Sequence, residues 1–84
     1  MKHNSAVTEF RLFLSNHFST CRVQFSDIVR AVQTTFPALC DDRKLCIHEY
    51  PHRPEWRHEL RHALDYMKRR KLVSQQRRGE YIFP

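Results

Sequence analysis

The run His58-Glu59-Leu60-Arg61-His62 carries the most conspicuous chemistry in the chain. Two histidines one helical turn apart, with a glutamate beside the first, form the pattern that binds zinc from one helix face and uses the carboxylate as a general base. Several features oppose that chemistry here. A catalytic zinc wants a third protein ligand, such motifs are usually enclosed by apolar neighbours, and a chain of 84 residues has no second lobe to form a cleft. Arg57 and Arg61 flank and interrupt the pair, and their charge opposes a bound cation. A second set, Cys40, Cys46, His48 and His52, spaces its cysteines too widely and its histidines too closely for a structural zinc site. The expectation is therefore a non-enzyme with no catalytic residues, no metal and no cofactor.

Cationic side chains offer a different chemistry, and they are unevenly placed. Residues 1–42 hold four basic side chains (Lys2, Arg11, Arg22, Arg30) against four acidic ones (Glu9, Asp27, Asp41, Asp42), whereas residues 43–84 hold eleven against five. The whole formal charge of +6 lies in the second half. A neutral scaffold carrying a cationic surface suits a polyanionic partner. The three cysteines are an odd number, the first residues lack a signal-type apolar core, and no run approaches a membrane span. These features lead us to expect an intracellular protein, cytoplasmic and nucleoid-associated, with no membrane partner. The cationic half has one Trp and no Phe on its helical apolar side, which disfavours a membrane-surface helix.

The elements that must position these charges follow from periodicity. Residues 4–18 predict a first helix, capped by Asn4 or Ser5, with Val7, Phe10, Phe13, Leu14 and Phe18 as its core stripe. Residues 21–25 alternate over a span that allows only a short strand. Ser26-Asp27 predicts the cap of a second helix over 28–36, stopped by Pro37. Residues 37–53 show no sustained period and predict an ordered connection with about one turn of helix.

The third helix, residues 54–71, is the strongest element. Pro54 suits a first turn and Glu55 complements the N-terminal dipole, while the basic run 68–71 suits the C-terminal end. Trp56, Leu60, Ala63, Leu64 and Met67 form one apolar stripe; His58, Arg61, His62, Asp65 and Arg69 collect opposite it, with Arg57 and Lys68 on the flanks. Strands over 72–75 and 80–83 enclose residues 76–79, where Gly79, the only glycine, supplies the positive φ of a short loop. Helix, strand, helix, helix, hairpin is the order of a winged helix-turn-helix: a mostly α, α+β domain of three helices plus a wing, spanning 1–84 as one unit.

In such a domain the third helix enters the major groove, where arginine bonds the O6 and N7 of guanine and histidine reaches a base edge or a phosphate. Arg57, His58, Arg61 and His62 are the candidate base contacts, Arg69 extends the same face, and Arg77 and Arg78 at the hairpin tip are candidates for the backbone or the minor groove.

The stretch from Pro54 to Arg69, closed by Lys71-Leu72-Val73 and Arg78-Gly79-Glu80-Tyr81, resembles the winged helices attached to restriction endonucleases. It is most similar to the C-terminal module of adenine-methylation-dependent restriction enzymes, over roughly residues 54–83. The resemblance implies sequence-specific binding of double-stranded DNA, with adenine-methylated DNA as a candidate ligand. No nuclease half accompanies it, so cleavage does not carry over. A methyl reader needs an apolar surface in the major groove, and Trp56 is the candidate, although its position on the core stripe also suits a packing anchor. The expected protein is monomeric. The alternative is a protein-interaction winged helix without nucleic-acid binding, in which Trp56, Tyr50 and Tyr81 form an exposed aromatic patch.

Overall fold

Three helices and three strands arise in the computed structural model, which describes residues 5–45 and 53–84. They are α1 (Ser5–His17), β1 (Cys21–Gln24), α2 (Phe25–Thr35), α3 (Glu55–Arg69), β2 (Ser74–Arg77) and β3 (Glu80–Phe83). The strands form one antiparallel sheet in the order β1-β3-β2, so the described residues make a small α+β domain. None of its helices is long and apolar enough to cross a membrane. The predicted cap residue Asn4, together with Cys46, His48, Tyr50 and His52 from the connection, lies outside the described residues.

The helical stripes converge as their spacing predicts. Phe10 and Leu14 of α1, Ile28 and Val32 of α2, and Leu60, Ala63 and Leu64 of α3 lose all solvent contact. Val73 and Phe83 close the same core from the sheet side. Burial of each large apolar side chain contributes about 1.5–3 kcal/mol. Phe13 and Phe36 join at the rim through edge-on ring packing at 5.4 Å.

Three elements differ from expectation by two residues or more, α3 ending at Arg69 and not at 71. α2 starts at Phe25, before the expected cap pair, because Asp27 acts from inside the first turn. Its carboxylate accepts the backbone N–H of Gln24, the residue that caps the helix, at 3.4 Å. An Asp near a helix start can serve as the cap or from the third helical position, and the surrounding sequence suits both. β2 lies two residues later than predicted, at Ser74–Arg77, leaving Arg78 and Gly79 as the turn. Gly79 takes φ +78°, as its place in the hairpin requires.

β1 does more than a four-residue strand suggests. It pairs with β3 along its whole length, Cys21 opposite Phe83 through Gln24 opposite Glu80, which ties the N-terminal half to the end of the chain. Thr20 continues this pairing by donating its N–H to the Pro84 carbonyl at 2.8 Å.

α3 stops through a left-handed residue. Lys71 has φ +61°, the Leu72 N–H reaches back to the Met67 carbonyl at 2.8 Å, and the Lys71 N–H reaches Lys68 at 3.0 Å. These two bonds are the Schellman arrangement, which glycine normally completes without strain. A side chain in this conformation costs about 1–2 kcal/mol, part of which glycine's greater unfolded-state freedom offsets. Lys71→Gly is therefore expected to raise stability by roughly 0.5–1 kcal/mol, measured by urea unfolding. A lower midpoint would mean that the lysine side chain contributes more than its backbone costs.

Candidate nucleic-acid interface

The basic face of α3 is set by what holds the helix on its other sides. The Tyr66 ring contacts two guanidinium groups, Arg11 of α1 at 4.6 Å and Arg70 at 4.8 Å. At the N-terminal end the Glu55 N–H bonds the Lys44 carbonyl at 2.8 Å, and the Lys44 ammonium lies 3.4 Å from the Glu55 carboxylate. The Trp56 indole N–H donates to Asp42 Oδ1 at 2.8 Å. Towards the sheet, Lys68 Nζ donates to Gln75 Oε1 of β2 at 2.9 Å.

This anchoring decides between the two roles considered for Trp56. The residue is 1% exposed, its N–H is used, and the Arg57 guanidinium lies 5.1 Å from its ring centroid. Trp56 is a packing anchor. As a contact for a base methyl group it is withdrawn, since its ring offers no accessible face. For the same reason it cannot join an exposed aromatic patch, and Tyr50, the second member of that patch, lies outside the described residues.

The remaining predicted residues are distributed over α3 and the hairpin. Arg57 and His58 are half-buried, whereas Arg61, His62, Arg69, Arg77 and Arg78 are exposed. His58 and His62 lie together, their ring centroids 4.4 Å apart. Arg61 extends across the start of α2, its guanidinium carbon 5.8 Å from the Phe25 ring centroid. Phe25 in turn donates its backbone N–H to the Gly79 carbonyl in the hairpin turn at 2.7 Å. One residue thus links Arg61 of α3 to the turn that bears Arg78.

Phe25 was not among the residues singled out from the sequence. Read locally it only ends a short alternating segment; its partners on α3 and the hairpin turn are distant in the chain, so no spacing pattern marks it. The Tyr81 ring of β3 also lies near it, with centroids 6.4 Å apart. Burial and the nearby Asp65 carboxylate push the Tyr81 phenol up, while Gln75 and Arg61 act in the opposite sense. The phenol is therefore neutral at physiological pH, with Asp65, Arg61 and Gln75 around it.

The groups weighed for catalysis or metal binding behave differently. Burial, and then the neighbouring Glu55 charge, push the Glu59 carboxyl above the usual glutamate range, with Lys44 and His58 opposing the shift. Among the described residues no three His, Cys, Asp or Glu side chains converge to hold a metal. Cys40 is half-buried against α2, and desolvation raises its thiol pKa, which keeps it protonated.

Glu59 has a consequence for stability. Its raised pKa means that the folded chain holds a proton that the unfolded chain has released, so stability falls as pH rises through the folded-state value. Glu59→Gln is accordingly expected to raise the melting temperature at neutral pH, with the difference shrinking once the medium is acidic enough to protonate the unfolded carboxyl too. Melting curves across that range check it; a difference that grows towards acid pH would reverse the assignment.

Comparison of the chain with family models, with curated proteins and with solved structures finds no match to any of them.

Proposed function

We propose that this chain is a winged-helix module that binds double-stranded DNA, with α3 in the major groove and the β2–β3 hairpin on the flanking backbone. The observation that supports the reading is the Phe25 link: its ring centroid lies 5.8 Å from the Arg61 guanidinium carbon of α3, and its backbone N–H bonds the Gly79 carbonyl of the hairpin turn. The element order and the pairing of β1 with β3 support it, as does the exposure of His62, Arg61, Arg69, Arg77 and Arg78 on a domain whose excess charge is confined to its second half. A groove-binding surface needs a rigid helix with cations on its outer face and a second basic element within reach, because phosphates fix register while base edges supply sequence information.

Within this reading Arg61 is the leading base contact, with His62 and the half-buried His58 beside it. Arg57, laid over Trp56, contributes charge at the helix start. Arg69, Arg77 and Arg78 contact the backbone. Adenine-methylated DNA is the ligand suggested by the resemblance of residues 54–83 to restriction-enzyme modules. With Trp56 in the core, the half-buried Phe25 is the apolar group placed beside Arg61.

The test is equilibrium binding, by fluorescence anisotropy, to GATC duplexes carrying no, one or two N6-methyladenines, alongside an unrelated duplex. Specific binding is expected to separate the GATC set from the unrelated DNA, and methyl reading to separate its members. Absence of binding to every duplex would reject the function and favour the protein-interaction alternative.

A further inference from the structure

His58 and His62 occupy successive turns of α3, with ring centroids 4.4 Å apart and planes inclined by 46°. Two imidazoles at this spacing bind a divalent transition ion from one helix face when their nitrogens lie within about 4 Å of each other, twice a zinc–nitrogen bond of about 2.0–2.1 Å. Ring centroids 4.4 Å apart bring the imidazole nitrogens into the range of that condition. His62 is exposed and His58 half-buried, so an ion has access from solvent.

The sequence argument against a cation here was the pair of arginines within the motif. Their observed placement weakens that objection. Arg57 lies over the Trp56 ring at 5.1 Å and Arg61 over the Phe25 ring at 5.8 Å. Helical periodicity places Arg57 on the flank of α3, about 100–140° round the helix from the two histidines, whereas Arg61 shares their face and has its guanidinium beside the Phe25 ring. Asp65, three residues beyond His62, carries the charge opposite to that of Arg69.

We propose that His58 and His62 form a two-histidine site for an imidazole-seeking divalent ion, bound in the order copper(II), nickel(II), zinc. Among the described residues these two nitrogens are the protein donors, and water or an outside donor fills the ion's other positions. This is neither a structural site nor a hydrolytic one, since both require further protein ligands. Binding requires neutral imidazoles, so protons compete with the ion and affinity falls towards acid pH.

The probe is nickel(II) added in substoichiometric steps to the isotopically labelled full chain without DNA. Its paramagnetism broadens amide signals near the bound ion. Broadening should begin around residues 58–62 and weaken as pH falls. His62→Ala and His62→Asn, at an exposed position, are expected to reduce affinity by at least the ~10–100-fold that follows loss of a ligand's supporting partner. His58→Ala should do the same, with its amide spectrum used to check that the fold persists. Broadening centred on other histidines, or an unchanged affinity in the His62 variants, would overturn the site. Because the experiment involves the protein alone, its outcome is independent of whether the same helix binds duplex DNA.

Discussion

Replacing Trp56 by alanine is expected to leave little folded protein at physiological temperature. The indole belongs to the core cluster that also holds Leu60, Ala63 and Met67, with 1% of its surface exposed, and its N–H bonds Asp42. Truncating a large buried aromatic costs about 3–5 kcal/mol through lost transfer energy and the cavity left behind. A small domain has little more than that to lose. Each kcal/mol shifts the melting temperature of such a domain by roughly 4–8 °C, so thermal unfolding reads the effect directly. Trp56→Phe is the informative companion. It keeps most of the packing and removes the indole bond to Asp42, whose exposed carboxylate water can solvate again; a loss of roughly 1 kcal/mol is expected from the bond. A Trp56→Ala protein with the melting curve of the unaltered chain and weakened DNA binding would restore the contact role set aside above.

The second large effect concerns binding. Arg61→Ala, Arg77→Ala and Arg78→Ala combined should weaken duplex affinity by about 3 kcal/mol, roughly a hundredfold in Kd, while leaving the fold intact. All three side chains are exposed, and among the described residues the packing removed is the contact of Arg61 with the Phe25 ring, worth about 0.5–1 kcal/mol at such a site. The single variants divide the roles. Arg61→Ala is expected to cost about 1–3 kcal/mol on the preferred sequence and less on unrelated DNA, the signature of a base contact. An equal loss on every sequence would make Arg61 a phosphate contact. Arg77→Ala and Arg78→Ala together should reduce the salt dependence by about two contacts' worth.

Much of the architecture was legible because it is local. Helical periodicity in residues 4–18 and 54–71 placed Phe10, Leu14, Trp56, Leu60, Ala63, Leu64 and Met67 inside, and all are buried. The lone glycine marked the hairpin turn for a physical reason, since few other residues accept its φ of +78°. The misplaced features depend on partners distant in sequence or on ambiguous local chemistry. Nothing near residues 21–24 announces that they pair with 80–83. Asp27 suits two positions at a helix start, and Lys71 stands where glycine would have marked the end of α3.

The candidate site divides along the same line. A helical wheel assigned His58, Arg61, His62 and Arg69 to the face opposite the core stripe. It could not show that aromatic rings draw Arg57 over Trp56 and Arg61 over Phe25, or that Phe25 joins α3 to the hairpin. Trp56 lay on the core stripe throughout, and its burial follows the ordinary behaviour of an apolar residue at that position.

The most direct measurement of the central claim is the dependence of duplex affinity on salt concentration. A helix face and hairpin turn that neutralise ~5 phosphates release the corresponding counterions, so log K should fall linearly with log salt at a slope of about −4 to −5. A slope near zero, with affinity unchanged from low to high salt, would show that the arginines of α3 and the hairpin do not meet the DNA backbone.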